Sequence, residues 1–243
     1  PILHFDLNIS HYDAPDSLYK ILNDTLSRYE EEYGTRPTEE TLPLRFAGII
    51  DRAYRKTGQR AVILIDEYDK PLLQNLHDEE MQNRLRNMLK PFYGVLKTMD
   101  RAIRFALLTG VTKFGKISVF SDLNNLMDLS MDNRYVEICG ITEKEIHAYL
   151  EDEVKELADT QMTNLRGNLP KTSSNDYDGY HFTAKSEGIY NPFSLLNTFA
   201  KMEFGDYWFE TGTPSYLVEL LKHTHYDLYE MANTETDADV LNS

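Results

Sequence analysis

Three runs of hydrophobic residues have the length and composition of buried β-strands. They lie at residues 2–7 (ILHFDL), 61–66 (AVILID) and 103–110 (IRFALLTG), and RYVEIC at 134–139 is a fourth candidate. The runs are mostly apolar instead of alternating with polar residues, which is typical of strands that are buried on both faces. The pattern therefore predicts a parallel sheet that helices cover on both faces.

The segments between these strands carry apolar residues at helical spacing. Helices are predicted at residues 17–33, 44–55, 79–99 and 142–158. Pro91 falls inside the third helix, where it can produce a kink. Thr142 opens the fourth with Thr-Glu-Lys-Glu, the pattern of a capping box. Because strands and helices alternate, the fold class is α/β.

The apolar content falls sharply after residue 158, where TQMTNLRGNLPKTSSND occupies residues 160–176. Beyond this polar stretch, YDGYHF and AKSEG predict a hairpin, and YNPFSLLNTFAKM and TGTPSYLVELLKH predict two short helices that each begin near a proline. We therefore expect an α/β core at residues 1–158 and a small, aromatic-rich α+β subdomain at residues 159–243.

The composition is that of a folded protein and excludes some partners. Hydrophobic residues make up 41% of the chain and aromatic residues 12%. The formal charge of −15 disfavours direct binding to nucleic acid, and no apolar run reaches the roughly 20 residues of a membrane-spanning helix. The single cysteine, Cys139, follows a strand candidate and is predicted to be a small core residue. It cannot form an internal disulfide, and no basic, apolar leader opens the chain, so we expect a cytoplasmic location.

The most direct indication of chemistry is AVILIDEYDK at residues 61–70. An apolar strand that ends in Asp66 and Glu67 has the form of a Walker B element, because parallel α/β sheets bind ligands where their strands end. In that reading Asp66 helps to hold Mg²⁺, and Glu67 orients and deprotonates the water that attacks a γ-phosphate. The alternative is a buried strand that simply ends in a solvated acidic turn.

Further along the chain, the strand FALLTG ends at Thr109. In P-loop ATPases with an additional strand between the phosphate-loop and Walker B strands, a polar residue at this point contacts the γ-phosphate or the attacking water. Thr109 is the candidate for that role. Lys113 and Lys116 lie just beyond it and could offset phosphate charge, or they could be ordinary solvated lysines.

Other sites of catalysis or binding fit the sequence poorly. No G-x-x-x-x-G-K-[ST] occurs, because in TGVTKFGK the second glycine is followed by Lys116 and Ile117, and Ile117 stands where the motif has Ser or Thr. A restriction-type nuclease site needs an acidic residue one position removed from a lysine, whereas Glu67 and Lys70 are separated by two residues. His223 and His225 would point to different faces of a helix, so no metal site is predicted there.

Several stretches together resemble the bacterial AAA-ATPase-like proteins, in which a P-loop ATPase domain related to the STAND class precedes a PD-(D/E)XK nuclease-like domain. The resemblance is carried, in order, by AVILIDEYDKPL, LLTGVTKFGKISVFSDLNNLMDLS, YDGYHF, IYNPFSLLNTF and YWFETGTPSYLVELL, which extend from residue 61 to residue 221. The LNNL that follows FSD, and YDGY followed by NPFS, are the most specific of these features.

The resemblance implies that the full-length parent binds ATP and Mg²⁺ and hydrolyses the nucleotide, with Asp66, Glu67 and Thr109 in the roles given above. Family members carry a phosphate loop of the type R-R-F-G-K-S upstream and a nuclease-like domain downstream. The chain is therefore expected to be an internal fragment that is inactive alone. We expect that the protein either contains its phosphate-loop strand in residues outside this chain or leaves a slot beside residues 103–110.

Two functions remain open beside that of an ATPase. The resemblance favours a nucleotide-driven switch that controls an attached effector domain or protein partner. The first alternative is a non-hydrolysing interaction or regulatory module on an ATPase scaffold. The second is the regulatory part of a nuclease whose DNA-cleaving domain lies outside this chain.

Overall fold

A computed structural model describes residues 1–111, 123, 125–130, 132–165, 188–205 and 207. Contacts divide the chain into two compact units, Pro1–Met127 and Asp128–Ser243. We describe each unit by itself. In the described part of the chain no helix is both long enough and apolar enough to cross a membrane.

The first unit alternates strands and helices, as the sequence predicts. Its elements are β1 (Ile2–Asp6), α1 (Ser17–Tyr33), α2 (Leu42–Thr57), β2 (Ala61–Asp66), α3 (Lys70–Leu73), α4 (Glu79–Thr98) and β3 (Ile103–Leu108), with a 3₁₀ turn at Asp100–Ala102. The predicted helices lie where expected, although α2 is longer than residues 44–55. Pro91 lies inside α4 without ending it. The four-residue helix α3 follows β2 after a turn.

The three strands form one parallel sheet in the order β1-β2-β3. β1 and β2 pair in continuous register from Ile2↔Val62 to Asp6↔Asp66. β2 and β3 pair from Ala61↔Ile103 to Ile65↔Leu108, with a register shift at Ala61/Val62. The parallel sheet and the mixed α/β class are thus confirmed. Parallel strands in this register bring their carboxyl ends to one edge of the sheet.

The long helices cover only one face of the sheet in the described part of the chain. On that face the ring of Phe5 packs against Phe46 of α2 at 4.9 Å and Phe92 of α4 at 5.3 Å between centroids, and against Tyr29 of α1. Ile2, Phe105 and Leu107 belong to the other face and are 63%, 53% and 41% exposed. The expectation that helices cover both faces was therefore wrong for the described residues.

The two outer edges of the sheet differ. On β1, the backbone N–H of His4 donates to the hydroxyl of Tyr29 at 2.6 Å, and that hydroxyl in turn donates to the His4 carbonyl at 3.0 Å. A side chain of α1 thus satisfies both backbone groups of His4 on this edge. β3 pairs with β2 on one side, and no strand among the described residues pairs with its other side. Whether a slot lies beside β3, and what would fill it, therefore stays a prediction.

The second unit contains short elements. They are β4 (Ile141–Thr142), α5 (Glu143–Tyr149), α6 (Glu151–Leu165), β5 (Ile189–Tyr190) and α7 (Pro192–Lys201), with β4 antiparallel to β5. The capping box at Thr142 and the helix that begins at Pro192 are confirmed. RYVEIC is a series of turns, so the fourth strand was wrongly predicted, and Cys139 is exposed instead of buried.

One predicted helix, residues 142–158, is two helices in the structure. α5 ends at Tyr149, and α6 continues to Leu165, into the polar stretch that begins after residue 158. The domain boundary at 158/159 therefore falls inside α6, and the division into an ATPase-like core and a subdomain stays a prediction. The hairpin predicted from YDGYHF and the helix predicted at residues 211–223 lie outside the described residues.

Candidate functional site at the carboxyl ends of the strands

At the carboxyl ends of the three strands, a polar residue either ends the strand or directly follows it. Asp6 ends β1, Asp66 ends β2, and these two residues are partners in the register of the sheet. Thr109 follows β3 directly, and its N–H donates to the Ile65 carbonyl at 2.9 Å, which continues the ladder one residue beyond the strand. The sheet therefore brings two carboxylates and a hydroxyl group together from distant parts of the sequence.

Glu67 occupies an additional position in the chain between β2 and α3. In a regular parallel ladder, the Thr109 carbonyl would accept from the N–H two residues after Ile65, which is that of Glu67. It accepts instead from the N–H of Tyr68 at 2.9 Å, so the chain after β2 contains one residue more than a regular ladder needs. Glu67 is this extra residue, and its φ is 54°, a left-handed conformation that costs a non-glycine residue about 1–2 kcal/mol. This strained conformation sits where the candidate base was predicted.

The hydroxyl group of Thr109 connects the two strand ends. It donates a hydrogen bond to Oδ1 of Asp66 and lies 3.4 Å from the N–H of Glu67, which donates to it. The side chain thus contacts the backbone N–H that the extra residue has displaced from the ladder. Asp66, Glu67 and Thr109, predicted as site residues from separate segments, are therefore brought into direct contact.

Three residues that the sequence did not single out complete this edge. Nζ of Lys70 donates to the Asn8 carbonyl at 2.7 Å and to Oδ1 of Asn8 at 2.5 Å. The N–H of Asn8 in turn donates to Oδ1 of Asp6 at 2.7 Å. Asp6 could have been found by the argument applied to Asp66, since it ends an apolar strand too. The contact from Lys70 to Asn8, 62 residues away, has no local signal in the sequence.

The concentration of carboxylates at this edge changes the acidity of Glu67. Burial raises the pKa of the Glu67 carboxyl above its ordinary value of 4.5, and the negative charges of Asp69 and Asp66 raise it further. The positive charge of Lys70 acts in the opposite direction but is weaker than these effects. A carboxyl group whose pKa is raised toward neutral pH is a better proton acceptor, as general-base catalysis requires.

The donor set fits the metal half of a magnesium–nucleotide site. Mg²⁺ in such sites is held by one or two carboxylates together with water and substrate phosphates, and Asp66, with Asp6 beside it in register, offers that number. No cluster of three or more His, Cys, Asp or Glu suited to a metal occurs among the described residues. The metal would thus depend on the nucleotide for its remaining ligands.

The phosphate-binding half of such a site is not visible in this chain. The 243 residues contain no G-x-x-x-x-G-K-[ST] loop, whose backbone N–H groups would hold the phosphates. Lys113 and Lys116, predicted to offset phosphate charge, lie outside the described residues, as do His223 and His225. Lys70 is the lysine that the structure does place at this edge.

Comparison with known proteins supports a family assignment for part of the chain. The sequence model of the AAA-ATPase-like family, described as "Predicted AAA-ATPase", matches residues 1–120. This match supports an AAA-ATPase-like assignment for that part of the chain, which contains Asp66, Glu67 and Thr109. It covers neither the STAND-related features nor the nuclease-like domain that the sequence resemblance implied.

A curated protein of Azotobacter chroococcum mcd 1, named "Uncharacterized protein in vnfD 5'region", is 42% identical to the chain over 209 residues. The aligned region covers 86% of this chain but only 38% of the relative. The chain thus spans well under half the length of that relative. No solved structure is significantly similar to the chain.

Proposed function

We propose that the chain contains the catalytic half of an ATPase site and that the full-length protein binds ATP with Mg²⁺ and hydrolyses it. The observation that carries this proposal is the contact among Asp66, Glu67 and Thr109 at the carboxyl edge of a parallel sheet. A solvated acidic turn, the simpler explanation of the sequence, would not require a hydroxyl group from a neighbouring strand or a strained backbone at Glu67.

Each of the three residues has a separate role in this proposal. Asp66 would bind Mg²⁺ directly or through water, and the metal would neutralise charge on the phosphates. Glu67 would orient the attacking water and accept its proton, for which its raised pKa is suited. Thr109 would donate its hydroxyl hydrogen to the γ-phosphate or to the water.

The hydrogen bond from Thr109 to Asp66 suggests how the site senses nucleotide. The Thr109 hydroxyl has one hydrogen, which it donates to Oδ1 of Asp66 in this structure. To contact the γ-phosphate, it must release that carboxylate. We expect the release to coincide with metal binding by Asp66, so that nucleotide binding changes the connection between β2 and β3.

The phosphate loop would come from residues outside the chain described here. We propose that its strand pairs with the outer edge of β3, where no described strand lies. An added parallel strand there would bring its own carboxyl end, and the loop that follows it, to the edge that carries Asp66. Lys113, Lys116 and Lys70 could then contribute positive charge.

We further propose that hydrolysis acts as a switch, in which the nucleotide state controls an attached effector domain or a protein partner. The support is the resemblance to STAND-related proteins together with the length of the curated relative, of which this chain covers 38%. The remainder of such a protein has room for an effector. The net charge of −15 argues against direct nucleic-acid binding by this chain.

The test is to express the full-length protein with and without Glu67→Gln, and to measure ATP binding and turnover. Removal of a general base lowers turnover by about 10²- to 10⁴-fold while nucleotide binding is kept. Glu31→Gln, on the exposed side of α1, is a matched control that removes the same charge far from the site and should leave turnover unchanged.

A second candidate is a non-hydrolysing interaction or regulatory module that keeps the ATPase shape. It is favoured by the lack of a phosphate-loop sequence within the 243 residues. Failure of the full-length wild type to bind ATP would support this candidate. For the third alternative, the regulatory part of a nuclease, we expect a DNA-cleavage assay on residues 1–243 to be negative and only a longer protein to cleave.

A further inference from the structure

Asp69 is a buried carboxylate that the proposed mechanism does not use. Asp69 is 0% exposed. Carboxylates are rarely buried completely unless they are paired or hydrogen-bonded. The N–H of Val111 donates to both of its oxygens, at 3.2 Å to Oδ1 and 3.0 Å to Oδ2. This contact joins residues 42 positions apart, from the segment after β2 to the segment after β3.

The position of Asp69 in its own helix makes this long-range contact informative. Asp69 is the N-cap residue of α3, a position where aspartate ordinarily accepts a hydrogen bond from the first turn of its helix. Its side chain makes no such bond. The carboxylate is directed instead toward the end of β3, so its role there is tertiary and not local.

Gly110 allows the two segments to approach each other. A Cβ atom at Gly110 would lie 2.5 Å from Oδ1 of Asp69 and 2.6 Å from Cε1 of Tyr68, closer than real Cβ contacts. Tyr68 itself is buried in the core, and its backbone carbonyl accepts a hydrogen bond from the Tyr93 hydroxyl at 3.0 Å. Neither neighbour can move away easily, so even alanine at position 110 would push the end of β3 outward.

These contacts lie on either side of Thr109. The Thr109 carbonyl accepts from the N–H of Tyr68, and two residues later the Val111 N–H donates to Asp69. The backbone that carries the Thr109 hydroxyl is thus fixed to the segment that follows Glu67. Thr109 and Glu67 cannot separate while these bonds hold.

We propose that Asp69 and Gly110 form a latch that positions Thr109 against Asp66 and Glu67, so that Asp69 is a positioning residue for hydrolysis. This inference rests on the proposed ATPase function. Asp69 touches neither nucleotide nor water in this role. It acts by holding the end of β3 in the one place where the Thr109 hydroxyl reaches the strand end of β2.

The experiment compares Asp69→Ala, Asp69→Asn and Gly110→Ala in the full-length protein. A displacement of about 1 Å in a catalytic group can cost about 100-fold in rate. We therefore expect Asp69→Ala and Gly110→Ala to lower kcat for ATP by about 10- to 100-fold. The KM should change less than kcat, because the displaced group acts in the transition state. Asp69→Asn keeps an acceptor oxygen for Val111 and should retain most of the activity.

A second N-cap aspartate in the chain provides a matched control. Asp78 caps α4, and its side chain accepts from the N–H of Met81 at 2.9 Å. Asp78→Ala removes the same group from a helix start away from the site. Asp78→Ala should lower thermal stability by about as much as the loss of other helix N-caps does, and it should leave kcat unchanged. If Asp78→Ala lowered kcat as much as Asp69→Ala, the positioning role would be overturned.

Amide hydrogen exchange at Thr109 and Val111 separates failure of the latch from failure of the proposed function. Asp69→Ala should speed exchange of the Val111 N–H, and Asp69→Asn should restore its protection, whether or not the wild type hydrolyses ATP. Unchanged exchange in Asp69→Ala overturns the latch. Faster exchange with unchanged kcat in an active enzyme overturns the positioning role. Wild-type protein without turnover contradicts the proposed function, and the exchange result then still decides whether the latch exists.

Discussion

The side chain of Thr109 donates a hydrogen bond to the carboxylate of Asp66, 43 residues earlier in the sequence. Both residues lie at the carboxyl ends of neighbouring parallel strands, and Glu67, which follows Asp66, is the extra residue at the end of β2. The bond therefore joins the candidate metal ligand to the candidate phosphate contact. Removing it should affect catalysis more than the stability of the sheet.

The Thr109 hydroxyl can be tested with a nearly isosteric change. Thr109→Val keeps the branched shape but removes the hydrogen-bond donor, and loss of one preorganised donor to a transition state costs about 100-fold or more in kcat. Thr109→Ser keeps the hydroxyl and should retain most of the turnover. The measurement is kcat and ATP affinity for the full-length protein. Equal turnover by Thr109→Val and the wild type would remove Thr109 from the site.

The raised pKa of Glu67 predicts a pH-dependent gain in stability from Glu67→Gln. Burial and the nearby charges of Asp69 and Asp66 raise its folded-state pKa above 4.5, so the folded protein binds this proton more tightly than the unfolded chain. The stability that the protonated form provides is complete below pH 4.5 and is lost as the pH rises through the folded-state pKa.

Glu67→Gln has no charge to lose and should therefore be more stable than the wild type at neutral pH. The gain should vanish at about pH 4, where both proteins carry a neutral side chain. Urea unfolding of residues 1–243 at the two pH values measures it. A wild type that is the more stable of the two at pH 7 would show that the Glu67 carboxylate is not electrostatically unfavourable.

Two glycines in neighbouring helices should respond oppositely to the same substitution. A Cβ at Gly48 in α2 would lie 2.0 Å from Oε1 of Glu39, the partner of Arg52 in a largely buried ion pair. Gly48→Ala should therefore displace Glu39 and lower the free energy of unfolding by about 3 kcal/mol, the loss typical of a broken buried pair.

Gly94 in α4 provides the control for this substitution. A Cβ there meets no atom within 4 Å, so alanine should raise the free energy of unfolding by about 0.5–1 kcal/mol through its higher helix propensity. Urea denaturation of both variants measures the difference. A stabilising Gly48→Ala would mean that Glu39 moves aside without cost and that its pair with Arg52 contributes little.

The capping box of α5 should make a measurable local contribution. The Thr142 hydroxyl accepts from the N–H of Glu145 at 3.2 Å, and the Glu145 carboxylate accepts from the Thr142 N–H at 2.9 Å. The second bond and the contact with the Thr142 hydroxyl lower the pKa of the Glu145 carboxyl. The stabilisation that the Glu145 carboxylate provides is therefore present above pH 4.5 and is lost as the pH falls through the depressed pKa.

Thr142→Ala should cost about 1 kcal/mol of local stability, and Thr142→Ser should cost much less because it keeps the hydroxyl. Hydrogen exchange in α5 at neutral pH reports the difference directly. Equal protection in the two variants would mean that packing of α5, and not its cap, holds the start of the helix.

Much of the first unit could be predicted from the sequence because its signals are local. Apolar runs gave the bounds of β1 and β2, and helical periodicity gave α1 and α4 to within about a residue. The same logic predicted that Asp66 and Thr109 each lie at the end of a strand. These predictions succeeded since side-chain periodicity is fixed by backbone geometry and requires no knowledge of distant contacts.

The rest of the site depends on contacts that the local sequence does not encode. Glutamate has no preference for a positive φ, so the extra position of Glu67 follows only from the pairing of Thr109 with Tyr68. Asp69 reads as a helix cap but is directed toward Val111. RYVEIC has the composition of a strand, yet it forms turns, which shows that β propensity yields to the tertiary setting.

ATP turnover by the full-length protein and by its Glu67→Gln variant is the most direct test of the proposed site. We predict that both proteins bind ATP with Mg²⁺, that only the wild type hydrolyses it, and that Glu31→Gln behaves as the wild type does. Equal turnover in the wild type and Glu67→Gln, or ATP binding by neither protein, would contradict a catalytic role for the carboxyl edge of this sheet.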